Sequence, residues 1–343
     1  MISKKKLPLA LAALAAVPCL LAPLPALADE AVVHDTPAGR FVRQVEPDRT
    51  TLTLPCGVVV VRLRDPDGHE LGLRASRGPA PLLDLRHEWT SGSDGGRLAL
   101  TRRGGAETAY VHDEAGALTG VLGASRTFVE LEDGLRVAFE RDGEAEVWTR
   151  GGAGRLVAAG ERRVRHDAAG RVVEVVGPPG DVGPTWRARY VRDGRGRLTA
   201  VEREDRGGAV TSRRARPIRA GVERLASGRA RTWLQLQGEP APVAYSEDGA
   251  WTYLVADAQG SALLYLDAAG APVGEADFSP WGEATTSPGD RPLVWRGGRV
   301  VDREHLAWLR GRAWSPSLGQ HLEPPYGPAP ETDGLAGRLA TDR

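Results

Sequence analysis

The sequence predicts an all-β fold in which antiparallel β-hairpin repeats form a curved or spiral sheet. Three observations predict it. The stretch "YVHDEAGALTGV" at 110–121 returns as "YVRDGRGRLTAV" at 190–201. The shared pattern reads as strand, tight turn, strand. Helical periodicity is hard to find through the region that repeats.

Residues 1–28 read as a secretory signal peptide: Lys4, Lys5 and Lys6 make a basic start, an apolar run follows, and Ala26-Leu27-Ala28 offers a small-residue cleavage site. The mature chain is expected to start at Asp29 and to be exported to the periplasm, cell surface or medium. Cys19 is a poor lipid-attachment candidate, because Pro18 stands where a small residue is wanted. Beyond the signal, no stretch reaches the ~18 apolar residues of a membrane-spanning helix. Cleavage would remove all three lysines and leave 42 of the 45 basic residues, every one an arginine, against 45 acids. That balance carries no electrostatic footprint for nucleic acid. Cys56 would be the one cysteine left, so an internal disulfide is impossible even in an oxidising compartment.

Residues 29–104 contain β-rich runs such as "GVVVVRLR" and form either a cap or degenerate repeats. Cys56, in "TLTLPCGVVVVRL", reads as a buried thiol on a strand, with catalysis or intermolecular pairing left open. "DPDGHE" at 65–70 superficially resembles a calcium loop, but His69 stands at the fifth position, where an EF-hand needs an oxygen. Turn chemistry explains the segment better, and no metal site is expected.

Residues 105–245 are the repeat region. Tyr110, Asp113, Gly116 and Leu118 set the pattern, and Tyr190, Asp193, Gly196 and Leu198 repeat it. In "VRHDAAGRVVEV", Asp167 and Gly170 keep their places while Val164 replaces the aromatic residue. A degenerate copy starts at Trp148, and eroded ones lie at Asp65 and Tyr245. In each unit the Asp accepts backbone N–H bonds as the turn opens, and the Gly takes the left-handed position that closes it. A lone hairpin cannot bury its apolar face, so successive hairpins must stack Tyr110, Trp148, Val164 and Tyr190 with their Leu and Val partners. The charged connector 203–240, densest in arginine to 232, reads as a solvated loop or short helix.

These residues resemble the YD-repeat, or Rhs-repeat, family, whose unit is the same Tyr-x-x-Asp-x-x-Gly-x-Leu-Thr pattern. Residues 246–327 resemble the Rhs-associated core. Tyr253, Asp257, Gly260, Asp267, Gly270, Pro280 and Gly282 follow its first half, and Arg312, Trp314 and Gly319 its second. The resemblance implies a spiral of hairpins that wraps into a hollow shell in full-length members. Those members carry C-terminal toxins or act as surface proteins in adhesion. In the toxin carriers the core ends in an Asp-Pro-x-Gly segment, where self-cleavage releases the toxin.

This chain departs from that plan. "LEPPYGPAPETDG" places Glu323, Pro324 and Pro325 where the cleavage segment would fall, and no Asp precedes a Pro there. Residues 328–343 read as a disordered tail with no toxin domain. The repeat array is short for a closed shell, which leaves an open curved sheet or one completed by a partner.

No Gly-x-Ser-x-Gly nucleophile elbow, phosphate loop or His/Cys ligand spacing occurs in the sequence. No catalytic, cofactor-binding or metal residue is therefore expected. The reading is an exported, non-enzymatic structural or interaction module at a cell surface. Its expected partner is another envelope or surface protein, or a glycan. One alternative is a carbohydrate-binding or adhesive module that stacks sugar rings on Trp281 and Trp314. Another is a degenerate toxin-carrier shell fragment.

Overall fold

The computed structural model describes residues 30–90, 96–112, 114, 118–122, 127–130, 136–139, 145–146, 148–150, 156–180, 183–194, 198–205, 210–213, 222–225, 227–301, 306–309, 312–315 and 320–322. The described residues are all-β and contain no helix. Their strands pair antiparallel, nearly always with the next strand in the chain. Hairpin follows hairpin, as the repeats predict.

A nine-stranded N-terminal sheet runs from Glu30–Thr36 to Leu118–Leu122 and passes the 104/105 position in a tight turn. A seven-stranded middle sheet begins at Trp148–Arg150 and ends at Val210–Arg213. Six strands from Val222–Arg224 to Pro272–Glu275 form a central sheet, so the 245/246 position falls inside the strand Ala244–Glu247. Five short strands, Val294–Trp295 to Gln320–His321, close the C-terminal part. The connector 203–240 corrects the expectation of a loop or short helix. Its described residues include the end of Leu198–Asp205 and the strands Val210–Arg213, Val222–Arg224 and Ala230–Leu234. Charge density does not prevent pairing here, because opposite charges face each other across the ladder, as Arg187 and Glu204 do.

Seven turns among the described residues share one backbone geometry. The N–H of the first residue donates to the carbonyl four residues on, and the N–H three residues on donates back to the first carbonyl. Asp65, Asp167, Asp257 and Asp267 open four of them, and Leu54, Leu225 and Ser279 open the others. A glycine closes every one, at φ between +79° (Gly57) and +98° (Gly282). In the four Asp turns the carboxylate also accepts the N–H of His69, Arg171, Ser261 or Ala271, at 2.8–2.9 Å. Gly116 and Gly196 lie outside the described residues.

A β-bulge accompanies five of these turns, those opened by Asp65, Asp167, Asp257, Asp267 and Ser279. His166 pairs with Val172, but Arg165 pairs with Glu174, so one residue of the returning strand has no partner. The same slip occurs before Asp65, Asp257, Asp267 and Ser279, and before the Asp113 and Asp193 positions. Each bulge adds twist, which curves the sheet. It also re-aims side chains. The extra residue in the strand Ala262–Leu266 is Leu263, which joins Leu264 and Leu266 on one face while Ala262 and Tyr265 occupy the other.

That strand, "ALLYL", is buried throughout, because the central sheet is covered on both faces. On one side Leu264, Leu266, Tyr253 and Val255 meet Phe41, Leu52, Val60 and Leu73 of the N-terminal sheet. On the other, Tyr265, Trp233 and Leu254 meet Val294, Trp295 and Trp314. The middle sheet builds a separate core from Val164, Val172, Tyr190 and Leu198, with Ala313 and Leu322 added.

Candidate functional site

The most polar part of the interior lies where the N-terminal and central sheets meet. Val58, Val60 and Arg62 alternate onto the inner face of one strand and its approach, so the third inward position delivers a guanidinium into the core. Arg62 is 4% exposed. It donates to the Ala256 carbonyl through Nε and Nη2, at 3.2 and 2.9 Å. Its Nη1 donates to Glu239 Oε2 at 2.8 Å. Arg43 Nε donates to the other oxygen of Glu239 at 3.2 Å. Further along, Arg103 donates to the carbonyls of Ala276 (2.7 Å) and Leu263 (3.3 Å). Tyr253 adds a bond in the reverse direction, from its hydroxyl to the Ala38 carbonyl at 2.7 Å. Side chains of each sheet thus bond directly to backbone of the other.

Beside this lock runs a row of polar side chains on the N-terminal sheet. Tyr110 donates to Thr101 Oγ1 at 3.1 Å, His87 Nδ1 lies 2.9 Å from the same hydroxyl, and His87 Nε2 lies 3.5 Å from Glu70 Oε1. Glu70 is buried, and its Oε2 has no hydrogen-bond partner among the described residues. The half-buried Asp257 turn of the central sheet faces this row. Loss of water and the charge of Glu70 push the Asp257 carboxyl up to about 6, against the Ser261 N–H that favours the ionised form. The row could pass a proton between neighbours. With side chains 5% and 13% exposed, Glu70 and His87 face protein rather than a substrate.

The residues expected from the sequence are spread through the fold rather than gathered at one point. Asp167 and Gly170, Asp257 and Gly260, and Asp267 and Gly270 form turns. Pro280 and Gly282 belong to the turn opened by Ser279. Tyr190 and Leu198 are buried in the middle-sheet core, whereas Asp193 is exposed and Leu118 half-buried. Arg312 begins a strand opposite Leu309. Asp113, Gly116, Gly196 and Gly319 lie outside the described residues. Neither Tyr110 nor Tyr190 stacks with the other, since they occupy different sheets.

Two expectations need correction. Trp281 and Trp314 are 7% and 4% exposed, and Trp314 Nε1 donates to the Trp281 carbonyl at 2.8 Å. Trp314 also packs 5.7 Å from Trp295, so these rings fill a core and offer no open face to a sugar. Cys56 sits in the turn closed by Gly57 rather than on a strand, half-buried against the N-terminal core. Burial pushes its thiol up from the usual range.

Asp65, Asp67 and His69 are the one described group whose potential metal-ligand atoms lie within 4.8 Å of one another. The Asp65 carboxylate is already engaged there, by the His69 N–H at 2.8 Å and by His69 Nδ1 at 2.8 Å. Sequence reasoning missed Arg62, Arg43 and Glu239. The signal for Arg62 was available in "VVVVR", where period-two alternation points the arginine inward.

The geometry defines an all-β hairpin-array protein whose polar groups join sheets together. No protein-family model and no curated protein matches the chain. Solved structures do. A chain of the Tc holotoxin pore of Photorhabdus luminescens superposes with a TM-score of 0.61 at 15% identity, over 86% of this chain and 19% of that one. A TcdB2–TccC3 complex gives 0.59 at 13%, over 85% and 20%. The same complex without its hypervariable C-terminal region gives 0.59 at 14%, over 85% and 19%. At such identities the likeness is one of fold, and this chain spans about a fifth of the chains it matches.

Proposed function

We propose that this protein is an exported, non-enzymatic Rhs-like scaffold: a hairpin-repeat module that works by structure and by contact with another envelope or surface protein. The observation that carries the reading is the bulged Asp-x-x-Gly hairpin, repeated through three sheets in a fold shared with Tc toxin chains over most of this chain's length. The ordered core pattern of residues 246–327 supports it, and so does the use of the polar interior to bond sheet to sheet. The signal-like residues 1–28 support export. A second reading, a shell fragment of a toxin carrier, draws on the same likeness to Tc toxin chains.

Cross-linking in the envelope fraction of the native cell, followed by intact-mass analysis, tests the proposal. The expected species is a chain starting at Asp29, with an uncut C-terminus, in a complex of defined stoichiometry. Recovery from the cytoplasm with residues 1–28 attached would overturn the export reading. A fragment ending near 322–327 would show self-cleavage and favour the toxin-carrier reading instead.

A further inference from the structure

We propose that a cleft beside the sheet-to-sheet lock binds a small oxyanion. The cleft measures about 490 Å³, within the range of small-ligand pockets, and its polar lining comes from Arg43, Arg62, Arg64, Thr50 and Glu239. Three arginines and one carboxylate therefore line it.

Glu239 does not neutralise all three. Its Oε2 accepts from Arg62 at 2.8 Å and its Oε1 accepts from Arg43 at 3.2 Å. Among the described residues the Arg64 guanidinium has no ion pair. Glu70, directly across from Arg64 in the ladder, lies instead beside His87 at 3.5 Å. Asp48 offers Arg64 only a backbone carbonyl, which accepts the Arg64 N–H. The cleft thus keeps a cationic group with unused donors.

Thr50 lines the same cleft, but its hydroxyl oxygen is sealed from it, so the guanidinium groups alone face a ligand. An oxyanion meets their need, since its oxygens accept from guanidinium donors. A cation would be repelled, and a neutral sugar would leave the Arg64 charge unmatched. Carboxylate, sulfate and phosphate share the required chemistry.

Calorimetry and thermal melting of the folded chain, residues 29–343, test the site with sodium sulfate, phosphate and acetate, each against sodium chloride at equal ionic strength. The expected result is saturable binding of at least one oxyanion and a melting temperature above that in chloride. Arg64→Gln, which keeps most of the side-chain stem, should weaken that binding at least tenfold. Arg64→Lys, which keeps the charge but loses the guanidinium fork, should weaken it less and provides the comparison if the Gln variant does not fold. Arg40→Gln, at an exposed pair with Asp35, should leave binding unchanged. The preferred anion then separates a carboxylate ligand from a tetrahedral one. Stabilisation matched by chloride, or binding unaltered in both cleft variants, would overturn the proposal.

Discussion

Arg62 and Glu239, 177 residues apart in the chain, meet at 2.8 Å with 4% and 1% of their side chains exposed. The pair joins a strand of the N-terminal sheet to the connection between the central-sheet strands Ala230–Leu234 and Ala244–Glu247. Glu239 also holds Arg43, so one carboxylate is shared by two cations.

Removing that carboxylate leaves Arg62 buried without a counter-charge, the costly way to break such a pair. Glu239→Ala should destabilise the protein by about 3–5 kcal/mol, on the scale expected for buried pairs losing one partner. Chemical denaturation checks this. Arg62→Met combined with Glu239→Leu should cost less than Glu239→Ala alone, because it leaves neither charge of that pair buried.

The turn glycines should not be equivalent. At Gly228, φ +80°, the methyl of an alanine would find nothing within 4 Å, so the substitution meets backbone strain alone, about 1–2 kcal/mol. At Gly260, φ +89°, an added Cβ would lie 2.8 Å from both Gly297 N and the Pro240 carbonyl. Gly260→Ala should therefore be clearly the more damaging in parallel urea titrations.

Asp257 should make stability depend on pH. Its carboxyl rises from an ordinary 3.8 to about 6 in the folded protein, so between those values the folded state holds a proton that the unfolded state releases. The stabilisation is complete below pH 3.8 and is lost as pH rises through 6. Asp257→Asn, which can still accept the Ser261 N–H, should flatten the pH dependence of unfolding between pH 4 and 6.5. A wild-type slope of the opposite sign, attributable to this residue, would contradict the assignment.

Tyr253→Phe removes the hydroxyl that donates to the Ala38 carbonyl at 2.7 Å and leaves that acceptor in a buried place. A loss of about 1–3 kcal/mol is expected, with the fold retained. Equilibrium denaturation and near-ultraviolet circular dichroism together measure both parts.

Among the described turns, the hairpins were legible in the sequence where Asp and Gly both stood in place. Asp167–Gly170, Asp257–Gly260 and Asp267–Gly270 all form the turn that the pattern implies. Turns at Leu54–Gly57 and Leu225–Gly228 were not legible, because their geometry rests on two backbone bonds and a left-handed glycine. The Asp adds a third bond but is dispensable, so a motif that requires it overlooks such units. Strands in the 203–240 connector were hidden by charge, which a paired and partly solvated ladder accommodates through opposite neighbours. The core tryptophans were ambiguous for another reason. Trp281 and Trp314 look alike in sequence whether they bind or pack, and only their burial in the fold decides it. The Arg62–Glu239 lock was beyond reach, since nothing local connects residues so distant.

If the N-terminal and central sheets act as one scaffold with a shared core, they must open together. Hydrogen exchange read by mass spectrometry can show this, by comparing 52–60 with 262–266 in the wild type and in Glu239→Ala. Both segments are expected to exchange only through global unfolding, at the same free energy, and the substitution should lower both equally. Independent exchange of the two segments, with Glu239→Ala affecting one alone, would contradict a single scaffold.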